Sequence, residues 1–521
     1  MNRILQNPVL PGFYPDPSIC RAGEDYYLIS STFEYFPGLP IFHSRDLRHW
    51  HQIGHVLDRP SQLDLDGIRP SGGLFAPTIR YHQGIFYVIN TLVDGNQPYS
   101  TFIVTAENPA GPWSEPHWLT GSKGFDPSLF FDDDGHVWFS ENRPSFEGFY
   151  EGHSEIYLQE LDLETLQLIG DAYFLWDGAL KGGIWAESAH IYKKDGFYYL
   201  MSAEGGTAHH HSVMIARSNS ITGPYVGNPG NPILTHRHLG LDYPIVGTGH
   251  ADLVETQNGE WWMALLAMRP YGGYFYNLGR ETFLAPVRWE DGWPVVCPGI
   301  GRVEMSFPAP DLPEAIWPIL PKTDHFDSPQ LSFQWNLIRT PRETWYSLTE
   351  RPGFLRIKLR PQRLSKNENP SFVGRRQQHI HFSAKTMMEF IPESQNETCG
   401  MALIQNPDFY YLFVLSKHDD QIALQLISRA HAQESILAEK TVSEGQIFLK
   451  VEAHEQQYSF YYAVNPGQWI PFVENADGRI LSTPVAGGFV GAYIGLYGSS
   501  NGCFSSNHAD FDWFEYSELA Q

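Results

Sequence analysis

The stretch Asp16–Ser30, DPSICRAGEDYYLIS, returns in altered form four more times: APTIRYHQGIFYVIN at 76–90, DPSLFFDDDGHVWFS at 126–140, ESAHIYKKDGFYYLM at 187–201 and HADLVETQNGEWWMA at 250–264. Each copy has a polar or small lead residue, then Pro, Ser or Ala, a short alternating run, a polar turn usually carrying Gly, and a second run rich in Tyr, Trp and Phe. That order is the signature of a β-hairpin. Successive lead residues lie 50 to 63 positions apart, which leaves room for a four-stranded sheet per unit. Helical periodicity is scarce. Self-similar sheets at a regular spacing predict radial repetition: an all-β chain whose residues 1–305 form a five-bladed β-propeller.

The innermost strand of every blade in such a fold lines the central axis, so the lead residues should meet there. Four of them can carry chemistry, Asp16, Asp126, Glu187 and His250, with Ala76 the exception. Asp16 stands between Pro15 and Pro17, which restrict its backbone and therefore the direction of its carboxylate. Two carboxyl groups flanking a glycosidic bond are the standard arrangement for cleaving it: one protonates the leaving oxygen, and the other attacks carbon or activates water. A third acid close to the donor raises the donor's pKa and fixes its orientation. The longer Glu187 suits the donor, and the proline-locked Asp16 suits a fixed base. The same Asp-Pro-Ser openings also serve as plain turn chemistry. His250 fits a hydrogen-bonded axial residue or a ligand of water or a cation, and Arg280, in NLGRETFLAP, fits either a sugar hydroxyl or a structural ion pair. Phe33 and Phe75 lie beside lead segments and are candidate walls for a sugar.

Bulk properties narrow the partners. Lys and Arg number 35 against 59 Asp and Glu, a formal charge of -24. That balance repels phosphate backbones and anionic headgroups, so neither nucleic acid nor a membrane is an expected partner, whereas a small neutral oligosaccharide is. The cysteines, Cys20, Cys297, Cys399 and Cys503, are widely spaced and read as free thiols with no zinc pattern. The opening MNRILQNPVLPG lacks the apolar run of a signal peptide, so a cytoplasmic location is expected and the sequon at Asn396 goes unused. The acidic run at 132–134 reads as a solvated turn, and the histidines at 209–211 are not assigned to a metal. A homo-oligomer is compatible with the chain, and no feature sets the number of subunits.

Prolines at 308, 310, 313, 318, 321 and 329 mark residues 306–329 as a semi-rigid linker. Beyond it, YYLFVLS from Tyr410, IALQLIS from Ile422, FLKVEAH from Phe448, YSFYYAV from Tyr458 and FVGAYIGLYG from Phe489 read as strands, and residues 330–521 as a β-sandwich of the concanavalin-like jelly-roll kind. The sandwich contains no catalytic motif.

Taken in order, NPVLPGFYPDPSIC, STFEYFPGLPIFHSRDLRHW, GFDPSLFFDDDG, WAESAHIYKKDGFYYL, GTGHADLV and GRETFLAPV resemble glycoside hydrolase family 43 across almost all of the first domain. HVLDRPSQLDLDG, FVGRRQQH and ADFDWFEY resemble its two-domain branch of β-xylosidases and α-L-arabinofuranosidases. The resemblance implies hydrolysis with inversion, Asp16 as general base, Asp126 as the pKa-tuning acid and Glu187 as general acid. It further implies that Arg280 contacts the sugar, that His250 sits at the centre, sometimes beside calcium or water, and that Phe33 forms a pocket wall. No cofactor is required, although calcium near the axis is one the resemblance allows. Phe75 replaces the Trp found in many xylosidase relatives, which reduces stacking area. A loop of the second domain is expected to close one side of the pocket, with the stretch around Phe504 as the candidate. The expected activity is exo-release of xylose from β-1,4-xylo-oligosaccharides, with arabinofuranosidase activity in the same pocket. The alternatives are a primary α-L-arabinofuranosidase and, in another class, a non-catalytic carbohydrate-binding propeller.

Overall fold

All five hairpins form, each opening its own antiparallel sheet, in a computed structural model that describes residues 3–418, 421–443 and 446–520. The hairpin strands are Ser18–Ala22 with Asp25–Ile29, Thr78–His82 with Ile85–Val93, Phe125–Phe131 with Val137–Pro144, Glu187–Lys194 with Phe197–Glu204, and Val246–Glu255 with Trp261–Met268, and in the second sheet Gly73–Leu74 also pairs with Ile85–Val93. Further strands follow outward in chain order, as in Gly38–Ser44 and His51–Leu57 of the first sheet. The first strands also touch one another in cyclic order, the strand from Val246 lying against that from Ser18. Apolar residues of neighbouring sheets interlock, as where Ile19, Tyr26 and Leu28 pack with Leu253, Trp262 and Ala264. Ile4–Gln6 pairs antiparallel with Ser306–Pro308, so this part of the chain ends beside its beginning.

The lead residues share a backbone device. Asp16, Asp126 and His250 have φ of 53°, 49° and 44°, and Ser188, directly after Glu187, has 56°. Non-glycine residues adopt this left-handed region at a cost of order 1–3 kcal/mol each. Strand pairing slips at the same places, between Phe125 and Ser128, between Glu187 and His190, and twice between Val246 and Asp252. Such bulges turn a side chain out of the regular alternation, here toward the space where the first strands meet.

The second region packs an eight-stranded sheet against a six-stranded one, with the concanavalin-like character of a sandwich. Its sheets begin earlier than the proline pattern indicates, because Thr323–Asp324 already pairs with His508–Glu518. With Ser306–Pro308 paired as well, the stretch outside strands shrinks to residues 309–322. The run from Phe489 also differs from its reading as one strand: the strand is Tyr493–Ser499. Residues 489–492 are drawn across to the first region instead, where Ala492 N donates to Asn277 O and a side chain on Gly491 would strike the Leu278 carbonyl. Two further joints hold the regions together. Leu337–Ile338 pairs with Tyr35–Phe36, and the buried Arg376 donates from Nε to Phe13 O at 2.6 Å.

Candidate active site

Asp16 is fixed from both sides. Tyr14 N donates to Arg280 O, and Thr282 Oγ1 donates to Tyr14 O at 2.6 Å, so the Pro15–Pro17 turn is fastened to the fifth sheet. The carboxylate then receives Arg280 Nη1 on Oδ1 at 2.6 Å and Ser31 Oγ on Oδ2 at 2.6 Å. Burial by itself would raise its pKa, but Arg280, then His250 and the Ser31 hydrogen bond, outweigh burial and hold it below the ordinary value. Asp16 is therefore an ionised, oriented base.

Asp126 and Glu187 face the same cavity of about 400 Å³, which Asp16, His250 and Arg280 also line. Among the described residues Arg280 pairs with Asp16 and not with either of them. Burial raises Asp126 well above the ordinary carboxylate range, and the charges of Glu187 and Asp16 add to the effect. Glu187, partly open to the cavity, is raised by desolvation and then by Asp16. Like-charged carboxyls that share a desolvated site cannot all ionise. At neutral pH the pair Asp126/Glu187 retains a proton while Asp16 does not. The site thus holds an acid and a base side by side.

The remaining walls are mostly aromatic. The Phe33 ring lies 5.2 Å from Phe75 and 5.7 Å from Phe489, and Phe75 lies 5.9 Å from Phe125. Trp185 lines the same cavity. Arg280 sits 5.5 Å from the centroids of both Phe33 and Phe489 and leaves its buried Nε without a partner in the protein. Phe504 is not part of this wall. It is 92% exposed and absent from the cavity, and the second region reaches the site through Phe489 instead. His250 Nδ1 stands 3.6 Å from Asp16 Oδ1, beyond hydrogen-bond range, and burial lowers its pKa, so it is a neutral imidazole beside the base. Among the described residues no group of three or more His, Cys, Asp or Glu has the geometry to hold a metal ion. The histidine run divides, with His211 buried and donating from Nδ1 to Gly247 O at 3.2 Å while His210 is exposed. Asp132 departs from the solvated reading: it is buried, paired with Lys193 at 2.6 Å and accepting from Tyr198 Oη at 2.7 Å.

Beneath the acids lies a second polar layer, again with one contribution from every first strand. Asp252 accepts from Ser18 Oγ at 2.7 Å, Arg80 Nη1 at 2.8 Å and Tyr192 Oη at 2.7 Å. Arg80 Nη2 donates to His190 Nδ1 at 3.1 Å, and Ser128 Oγ lies 2.8 Å from the same nitrogen. Because an arginine only donates, Nδ1 must be the acceptor and the proton sits on Nε2. Burial and Arg80 depress His190 to about 3, so it is neutral. Ser18, Ser128 and Asp252 each stand two residues after a lead residue, which ties the direction of the acids to this layer.

The family model of the glycosyl hydrolases family 43 matches residues 5–294, and the β-xylosidase C-terminal concanavalin A-like domain matches residues 323–517. The chain belongs to glycoside hydrolase family 43. Among relatives in the family, a xylosidase/arabinosidase of Butyrivibrio fibrisolvens is 47% identical over 99% of this chain and its own full length. A non-reducing end α-L-arabinofuranosidase of Bacteroides ovatus is 40% identical, over 99% of this chain and 95% of its own. The solved structure of a xylan β-1,4-xylosidase from Bacillus halodurans superimposes with a TM-score of 0.93 at 38% identity, covering 99% of this chain and 100% of the other.

This family 43 site also uses residues that the repeat did not single out. Phe125 and Trp185 could have been found, being one residue before Asp126 and two before Glu187. Ser31 and Phe489 could not: each arrives from a loop or from the other region, with no pattern around it.

Proposed function

We propose that this protein is an inverting exo-glycosidase that releases xylose from the non-reducing end of β-1,4-xylo-oligosaccharides and also cleaves α-L-arabinofuranosides in the same pocket. One observation carries the proposal: a single cavity holds a carboxylate kept ionised by Arg280 and a pair of acids that burial and the neighbouring carboxylates keep from ionising together. In this reading Glu187 protonates the leaving oxygen as the glycosidic bond breaks, and Asp16 takes a proton from the water that attacks the anomeric carbon from the opposite face. Asp126 keeps Glu187 protonated. Arg280 and the phenylalanine walls hold the sugar. The names of the relatives, which couple xylosidase with arabinosidase, support a pocket that accepts both sugars.

The same proposal treats the five sheets as propeller blades, supported by their cyclic contacts, and divides the chain into a catalytic domain over 1–305, a connector and a sandwich domain whose sheets begin at Thr323. It places the enzyme in the cytoplasm, where short imported oligosaccharides are available and the thiols stay reduced. The test is to follow hydrolysis of aryl β-D-xyloside and aryl α-L-arabinofuranoside by NMR. Both should turn over, and fresh product should carry the inverted anomeric configuration. Retention would make Asp16 a nucleophile, and a large excess of arabinofuranoside turnover would make xylose the secondary sugar.

A further inference from the structure

Glu34 is 3% exposed, adjoins the pocket residue Phe33 and has no part in the chemistry above. Its carboxylate accepts from Ser71 N at 3.0 Å, and Ser71 Oγ in turn accepts from Phe489 N at 2.8 Å. This short chain of bonds runs from the first sheet through the 71–74 turn to the second domain. It touches all three phenylalanine walls. Phe33 N and O exchange hydrogen bonds with Leu74 at 3.0 and 3.1 Å, Phe75 follows Leu74, and Phe489 is the terminal donor. The turn has no room to shift: a Cβ on Gly73 would stand 2.4 Å from Phe33 O, and one on Gly488 2.4 Å from Ser71 Oγ. Both glycines also have positive φ, 91° and 77°. From the far side Arg339 N donates to Glu34 O at 2.8 Å, and its guanidinium donates twice to Ile68 O, so the second domain grips both ends of the segment that carries Ser71.

We propose that Glu34 and Ser71 are positioning residues for sugar recognition: they lock Phe489 of the second domain against Phe33 and Phe75, and thereby set the width of the wall against which the cleaved sugar packs. Neither touches the reacting atoms. Loss of Ser71 Oγ leaves the part-buried Phe489 N–H without its acceptor, loss of the Glu34 carboxylate leaves Ser71 N without one, and either frees the Phe489 ring to withdraw, while Asp16, Asp126 and Glu187 keep their own supports in the first domain. The penalty therefore falls on binding, whose loss appears in KM when it is shared by ground and transition states. An unsatisfied buried donor costs enough for about a tenfold change.

This inference rests on the glycosidase reading. The test measures kcat and KM for aryl β-D-xyloside with wild type, Ser71→Ala, Glu34→Ala and Glu34→Gln, with melting temperatures alongside. Ser71→Ala and Glu34→Ala should raise KM about tenfold with kcat within about twofold of wild type. Glu34→Gln, which keeps an oxygen acceptor for Ser71 N, should restore KM to within about twofold. Unchanged KM in Ser71→Ala, or a fall in kcat alone, would overturn the inference while leaving the glycosidase reading intact. A failure of Glu34→Gln to rescue would also overturn it. Wild type that hydrolyses neither the xyloside nor the arabinofuranoside would sink the functional reading, and the inference with it.

Discussion

Two polar assemblies share the axis of the first domain, built from the same five strands, and they are opposites in charge matching. In the lower one Asp252 is met by Arg80, Tyr192 and Ser18, and despite burial its pKa lies far below the ordinary value because Arg80 faces it. In the upper one three carboxyls share one cation, Arg280, which commits itself to Asp16, so Asp126 is raised by burial and by the charges of Glu187 and Asp16, and Glu187 by burial and by Asp16. A matched buried charge holds the fold, whereas an unmatched one keeps a proton that can be spent on a substrate. The strained φ values belong to the upper layer, at Asp16, Asp126 and His250, where aim matters more than stability.

The largest effect should come from Glu187→Gln. Removing a general acid costs typically 10²–10⁴ in rate, so kcat/KM on xylobiose should fall by about 10³-fold with ligand binding retained and the melting temperature no lower than that of wild type. A variant that hydrolyses xylobiose normally would take the acid's role away from Glu187, and a wild type that binds xylobiose without hydrolysing it would make the cavity a non-catalytic carbohydrate binder. Next in size is the lower layer. Asp252→Asn leaves the Arg80 charge buried and unpaired, a change that costs about 3–5 kcal/mol when one partner of a buried pair is lost. Chemical denaturation should show that loss of stability, and per folded molecule the activity should fall far less than in Glu187→Gln. Equal stability of the two variants would erase the distinction drawn between the layers.

The layers should also answer pH in opposite directions. Asp126 and Glu187 have folded pKa values above their unfolded ones, so the stability they contribute is complete below about pH 4 and is lost as pH rises through the raised values. Asp252 has a depressed folded pKa; its contribution is complete above about pH 4 and is lost only in acid. The melting temperature of Glu187→Gln should therefore gain on that of wild type as pH climbs past neutrality. A constant difference from pH 5 to 9 would mean that Glu187 is not held protonated. In activity, deprotonation of the Asp126/Glu187 pair should form the alkaline limb, and protonation of Asp16 an acid limb below the ordinary carboxylate range.

The two assemblies were unequally legible in the sequence. Asp16, Asp126 and Glu187 stand at the same place in repeated hairpins, so a period and a residue type sufficed to bring them together. Arg80 and His190 stand in those hairpins too, yet they looked like ordinary polar strand residues, because what makes them a layer is the closing of strands that are remote in sequence. Phe489 was harder still. Its segment reads as a strand by periodicity, and only contact with Asn277 and Ser71 pulls it out of the sheet. Phe504 looked equivalent on the page, being aromatic in a loop of the same domain, but no partner holds it near the cavity. Local patterning finds what each strand repeats; it does not find what a second domain delivers.

The smallest expected effect tests the wall between these regions. Phe75 already meets Phe33, Phe125 and Phe489 at ring distances of 5.2, 5.9 and 6.0 Å, so Phe75→Trp enlarges a side chain whose other faces are occupied and whose free face looks into the cavity. A well-placed aromatic contact is worth roughly 0.5–1.5 kcal/mol beyond its area. A pyranose offers the indole a broader face than a furanose does. The ratio of kcat/KM for aryl xyloside over aryl arabinofuranoside should therefore rise about threefold, chiefly through KM. An unchanged ratio with a lower melting temperature would show that the added ring overpacks the phenylalanine cluster, and that Phe489, fixed by Ser71, rather than Phe75 sets the width available to the sugar.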